Sequence, residues 1–230
     1  MKSLYLGLIC LLFMSSCKSD KEKTTENLKV KQELTVAEKI ANAHGFEHWK
    51  NVSEVKFTFQ VDKDSIKGIG RKWTWFPKQN RVLLTDNDQN YDYYRHEVDS
   101  TNMVADKAFI NDKFWLLIPF QLVWDSSAKI TEPKTATTPI SKDVLQMITL
   151  TYSNEGGYTP GDAYDIFYDN DFIIKEWIFR RGNSAEPSLT TTFENIKDFN
   201  GIKIAIDHKQ ESGHWNLNFT DVNIVLDTKE

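Results

Sequence analysis

The chain has 230 residues, of which 40% are hydrophobic and 13% aromatic, with seven Trp. The net charge is −5 and no basic run occurs in the folded part, which excludes nucleic-acid binding as the main task, because phosphate backbones demand clustered Lys and Arg. Ten Gly and six Pro exclude a low-complexity chain; the only cysteines are Cys10 and Cys17, so no disulfide braces the body of the fold.

Residues 1–16 read as a targeting leader. Lys2 supplies a positive start, and Leu4 to Met14 form an apolar run too short to span a bilayer. The run ends in Met14-Ser15-Ser16-Cys17. Small residues just before a Cys resemble the bacterial lipobox, with Met14 where Leu is usual. The resemblance implies that Cys17 is diacylated and becomes the new N-terminus. Acyl chains there supply membrane affinity at about 0.8 kcal/mol per buried CH₂. Residues 17–33 are then the lipidated Cys and a polar, disordered tether. This tether resembles the charged leader of surface-exported lipoproteins in the Bacteroidota, although Ser19 interrupts the pattern. The expected location is the outer membrane, with either leaflet open.

Residues 34–230 read as one β domain. Thr35-Val36-Ala37-Glu38 is a capping box that opens a helix, and Gly45 stops it. Val55, Phe57, Phe59 and Val61 alternate with polar residues, the pattern of an antiparallel strand with one buried face. Strands are expected over 68–76, 81–85 and 91–98, with Trp73 and Trp75 on one face. Residues 102–124 interrupt them with the most apolar part of the mature chain, including Phe109, Phe114, Trp115 and Phe120. Asn111-Asp112 is expected to cap a short helix over 113–118, with Pro119 breaking it or beginning another turn, as a plug packed against, or into, the sheet.

Residues 131–141 read as a loop and 144–152 as a strand. Thr159-Pro160-Gly161-Asp162 is turn chemistry leading into a hairpin. A two-residue loop at 170–171 sets Asp165 against Glu176, two like charges. A three-residue loop, 169–171, sets Asp165 opposite Lys175 and Tyr168 opposite Phe172, with Ile174 and Ile178 sharing a face with Tyr164 and Ile166. Cross-strand pairs are worth about 0.2–1 kcal/mol, so the second register is preferred. A short strand is expected over 189–193 and a longer one around Ile202, Ile204 and Ile206. In the last ribbon the apolar parity changes at Thr220-Asp221, which predicts a bulge.

These elements make the chain mainly β (α+β): a large curved antiparallel sheet, or half-barrel, with one N-terminal helix and a short buried helical insertion. In that form it resembles the LolA/LppX-type lipoprotein carrier fold. The residues AHG with Trp49, VKFTF (55–59), WLLIPF (115–120), GGYTPGDAYDIFYD (156–169) and EWIFRRG (176–182) are also similar to a group of flavobacterial lipoproteins. The resemblance covers about 36–226 and implies an apolar cavity for acyl chains or another hydrophobic ligand. It carries no functional residue across.

Other chemistry is weakly signalled. His44 and His48 have helical spacing, but Gly45 ends the helix between them and the pattern is not HExxH. Asp162, Asp165, Asp169 and Asp171 lack EF-hand spacing. Ser126-Ser127-Ala128-Lys129 is a bare SxxK without companion motifs. No cofactor or metal is expected. Trp73, Trp75, Trp115 and Trp177 are the candidate cavity-lining residues.

The expected function is a membrane-anchored carrier or binder of a hydrophobic ligand. A structural or interaction lipoprotein of the envelope is the alternative, and an envelope hydrolase the third. The anchor makes a direct prediction: Cys17→Ala should lose the lipid mass seen by mass spectrometry and move the protein from the membrane to the soluble fraction.

Overall fold

A computed structural model describes residues 33–86, 89–155 and 159–227. Cys17 and the tether lie outside the described residues. The first helix, α1 (Val36–Ala43), forms where its capping box predicts. Thr35 Oγ1 accepts from the Glu38 amide at 3.2 Å, and Glu38 Oε2 accepts from the Thr35 amide at 2.7 Å. Gly45 ends the helix at φ 87°, a left-handed conformation. A Cβ there would lie 1.9 Å from the Gly201 carbonyl oxygen, so glycine is required twice over.

The strands β1 (Val52–Lys63), β2 (Arg71–Phe76), β3 (Arg81–Thr85) and β4 (Asn90–Tyr94) follow as an antiparallel meander. Two helices come next, α2 (Met103–Leu116) and α3 (Ile118–Trp124). The chain then lays down β5 (Lys129–Ile130), β6 (Lys134–Thr137), β7 (Val144–Thr151), β8 (Ala163–Tyr168), β9 (Ile174–Arg180) and β10 (Leu189–Thr192). It finishes with β11 (Glu194–Phe199), β12 (Ile202–Lys209) and β13 (Trp215–Leu226).

The strands form two antiparallel sheets that do not close into a barrel. One has the order β11-β12-β13-β1-β2-β3-β4; the other runs β10-β9-β8-β7-β5, with β6 also pairing β7. The chain passes from one sheet to the other through Phe193, the single residue between β10 and β11. The long β1–β13 ladder holds the expected bulge: Lys56 opposes Asn223 while Thr58 opposes Thr220, and Asp221 has φ 52°. That extra residue keeps Phe219 and Ile224 both in the core.

Three expectations need correction. The insertion is two helices, and the first starts eight residues before Asn111, so Asn111-Asp112 lies mid-helix and caps nothing. Pro119 does begin another turn, as one of the two expectations had it: it sits in the first turn of α3, where its missing N–H costs little. The 131–141 loop contains β6, an edge strand on β7. The β8–β9 hairpin takes neither short loop: Tyr168 pairs with Ile174, Ile166 with Trp177 and Asp165 with Ile178, with a bulge beside Tyr168.

The longer loop has a local cause. Asp169 Oδ1 accepts from the Asp171 and Ile173 amides, both at 3.0 Å, and its Oδ2 pairs with Lys175 at 3.0 Å. Asp165 is matched instead by Arg180, at 2.9 Å. Ile174 does share the core face with Tyr164 and Ile166, but Ile178 lies on the other one with Asp165. The covered side of that second face holds Glu176, buried, which accepts from the amides of Ile140 and Ser141 at 2.7 and 2.8 Å.

His44 ties the two sheets together. Its Nδ1 lies 3.2 Å from the Lys203 carbonyl of β12, and its Nε2 lies 3.3 Å from the Ile174 amide of β9. One neutral tautomer satisfies both: Nδ1–H donates and Nε2 accepts. His208, buried among Trp115, Phe193 and Phe219, sets its Nδ1 3.3 Å from the Leu217 carbonyl.

Burial lowers the pKa of each imidazole from its usual value to about 4. The unfolded chain therefore binds more protons than the native one below about pH 6.5. Stability from both groups is present above that pH and drains as pH falls toward about 4, by on the order of 3 kcal/mol for each. Urea midpoints measured from neutral pH downward should fall accordingly. His208→Phe should make the fall shallower.

Candidate ligand cavities

Helix α2 is the element on which the site is built. It is apolar on most sides, so hydrophobic contacts alone do not fix its rotation. Two acidic residues do. Asp112, with no exposed surface, accepts from Arg71 Nε at 2.8 Å, Arg71 Nη2 at 2.7 Å and Trp73 Nε1 at 2.8 Å. Those hydrogen bonds raise the Arg71 pKa above its usual value. The same guanidinium lies 4.8 Å from the centre of the Phe59 ring. Nearer the start of the helix, Asp106 Oδ1 accepts from Arg95 Nε at 2.8 Å and from the Tyr93 hydroxyl at 3.3 Å. Both clamps tie α2 to the β2–β4 side of the first sheet.

So held, α2 parts the space beside it into two cavities. The larger is about 480 Å³, within the usual range for small-molecule sites. Ile110, Asn111 and Phe114 reach it from one stripe of the helix, with Lys107 one turn before and Trp115 beside them. The facing wall comes from β8 and β9 as Tyr164, Trp177 and Phe179. These rings interlock: Trp115 to Trp177 at 4.4 Å between centres, Phe114 to Tyr164 at 5.0 Å and Tyr164 to Phe179 at 5.1 Å. Leu189 adds apolar surface. Lys107, Asn111 and Arg181 are exposed and place two cations at the rim. The indole nitrogen of Trp177 is buried and has no hydrogen-bond partner.

The smaller cavity, about 300 Å³, lies on the other flank. Trp49, Trp75 and Trp124 wall it, and Lys113, Gln121 and Asp125 supply its polar groups.

The four tryptophans picked from sequence therefore separate. Trp115 and Trp177 meet in the larger cavity, and Trp75 lines the smaller. Trp73 lines neither; it is buried and spends its N–H on Asp112. Lys113 and Gln121 were not singled out by sequence reasoning. The available signal was an Asp-Lys pair and a Gln set inside the otherwise apolar run 109–124, where a polar residue needs a reason to be present.

The weaker motifs are each absorbed by the fold. Asp162 Oδ1 accepts from the Gly182 amide at 2.8 Å, and Asp165 and Asp169 are held as described above. Ser127 Oγ donates to Asp125 Oδ1 at 2.6 Å on an exposed turn. His48 packs its ring against Gly201, on the far side of Gly45 from buried His44. No helix among the described residues is long and apolar enough to cross a membrane.

No family model and no curated protein matches the chain. Solved structures are similar to it, two of which follow. A LolA superfamily protein from Nitrosomonas europaea has a TM-score of 0.49 at 10% identity, covering 85% of this chain and 96% of that one. A DUF1329 family protein from Desulfovibrio piger has a TM-score of 0.47 at 6% identity, covering 84% and 93%. Likeness at this level is one of outline.

The Asp112 clamp can be tested by removing one partner. Asp112→Ala leaves the Arg71 guanidinium and the Trp73 N–H without their acceptor and should cost about 3–5 kcal/mol, as broken buried pairs do. Urea denaturation of the variant, and of Arg71→Met, measures it. Surface pairs such as Arg81–Asp92, removed in the same way, should cost far less, because solvent screens them.

Proposed function

We propose that the chain is an envelope lipoprotein, anchored in the outer membrane through Cys17, that binds or carries a hydrophobic ligand such as an acyl chain. The observation that carries this reading is the larger cavity. Its wall of Phe114, Trp115, Tyr164, Trp177 and Phe179 is apolar and aromatic, while Lys107 and Arg181 stand at its rim and outnumber the one acid there, Asp162, which is held by the Gly182 amide. An apolar chain gains by leaving water for such a wall, at about 25 cal/mol per Å² buried. An acidic head group would remain in water beside the two rim cations. The protein acts here as a binding protein rather than an enzyme, and Trp115 and Trp177 are its central ligand contacts.

One observation favours the interaction reading. Ile66 and Ile69 are largely exposed on the connection between β1 and β2, at 72% and 76%. Paired apolar side chains in the open suit a protein partner.

Native mass spectrometry separates the two. The Cys17→Ala chain carries no covalent lipid, so any lipid-mass adduct is bound in a cavity. A discrete adduct is expected, and it should vanish in Ile110→Glu and Leu189→Glu, which place a charge in the cavity wall at half-buried positions. A clean apo mass, unchanged after incubation with envelope lipids, would turn the reading to a partner at Ile66 and Ile69.

A further inference from the structure

The larger cavity limits what can enter it. Burial is graded along its lining. Lys107, Asn111 and Arg181 are exposed, Ile110, Phe179 and Leu189 are half-buried, and Phe114, Trp115, Tyr164 and Trp177 are buried. The buried end is packed shut. Trp115 meets Trp177 with 4.4 Å between ring centres. Behind them His208 lies 5.5 Å from Trp115 and Phe193 lies 5.4 Å from Trp177. The cavity thus has one polar end, open to water, and one apolar end closed by interlocked rings.

The room inside is finite. A methylene group takes about as much space as a water molecule, whose share of liquid volume is about 30 Å³. A cavity of about 480 Å³ therefore holds about sixteen of them. That is one acyl chain. A lipid with two such chains needs twice the room, and close-packed walls do not yield it cheaply. The second chain would stay in water and gain nothing from binding. The open end gives the sign of the head group. Lys107 and Arg181 take part in no ion pair among the described residues, and the acid beside them, Asp162, accepts from the Gly182 amide at 2.8 Å.

We propose that the larger cavity takes single-chain amphiphiles with an anionic head group, a fatty acid or a lysophospholipid, one molecule at a time, and excludes lipids with two chains. The proposal rests on the hydrophobic-ligand reading and narrows it to a ligand class. The tail runs past Ile110 and Phe179 and ends against Trp115 and Trp177. The head group stays in water beside Lys107 and Arg181, where exposed cations add selectivity more than affinity. Because the charge is never taken out of water, uptake and release of the tail carry no ionic desolvation cost.

The test follows binding to the Cys17→Ala chain by calorimetry and tryptophan fluorescence, with straight-chain fatty acids of graded length kept below their micelle concentrations. Affinity should rise about fourfold per added carbon. It should level off near about sixteen carbons, where the cavity is full, with one ligand per protein. Palmitoyl lysophosphatidylglycerol should bind as well, and its affinity against hexadecanoate tells a lysophospholipid ligand from a free acid. Dipalmitoyl phosphatidylglycerol, offered from vesicles, should leave no adduct in the native mass spectrum. Hexadecanol should bind about three- to tenfold more weakly than hexadecanoate. That gap should close at about 1 M salt and in the Lys107→Met, Arg181→Met double variant. Trp115→Leu lowers the closed end and should move the levelling-off to longer chains; the length series and the one-chain against two-chain comparison need no variant of the cavity wall. No saturable binding of any amphiphile would remove the hydrophobic-ligand reading and this proposal together. Saturable binding in which the two-chain lipid matches the one-chain lipid, affinity keeps climbing with length, or alcohol equals acid at low salt overturns the proposal and leaves the wider reading standing.

Discussion

A carboxylate with no exposed surface has to be answered by the protein, and Asp112 is answered from β2 by Arg71 and Trp73. That demand sets the rotation of α2. The helix has buried apolar side chains around most of its circumference, so many rotations would bury similar hydrophobic area. Only one brings Asp112 to Arg71 and Asp106 to Arg95 together. Polar pairing here specifies which apolar faces look where, and so decides the residues presented to each cavity. Hydrophobic burial supplies most of the stability of the insertion; the two acids give it its orientation.

That orientation sorts residues that are neighbours in sequence. Lys113 goes to the smaller cavity and Phe114 to the larger, one residue apart on a helix that turns by 3.6 residues. The two spaces consequently differ in chemistry. One is an aromatic slot whose charged lining is Lys107, Asp162 and Arg181. The other has an ammonium, an amide and a carboxylate set into tryptophan walls. A buried cation held by aromatic faces is tolerated because the ring quadrupoles replace part of its lost hydration.

Local chemistry was legible in the chain, and long-range pairing less so. The capping box at Thr35, the stop at Gly45 and the parity change at Thr220-Asp221 each depend on residues adjacent in sequence, and each appears as read. The β8–β9 register depended on Asp169 collecting two backbone amides, which lengthens the loop in a way that pairing rules for charged side chains do not register. The split of the cavity tryptophans had no local signal. Trp73 and Trp75 share a strand face, and what separates them is Asp112, 39 residues further on. β11 drew no expectation because its apolar residues are sparse, only Ile196 and Phe199 in Glu194 to Phe199.

The two sheets also differ in when they can be made. β7, β8, β9 and β10 are successive neighbours, so that ladder assembles from short loops as the chain emerges. The other sheet has at its middle β1 beside β13, residues such as Phe59 and Phe219 that lie 160 positions apart. Closing so long a loop carries an entropic cost before any contact rewards it, and topologies of high contact order fold slowly. Until the last strand arrives, β1 and β12 each have an unpaired edge, the kind of surface on which chains aggregate. The order of synthesis therefore leaves this sheet open longest, and the final twelve-residue strand closes it.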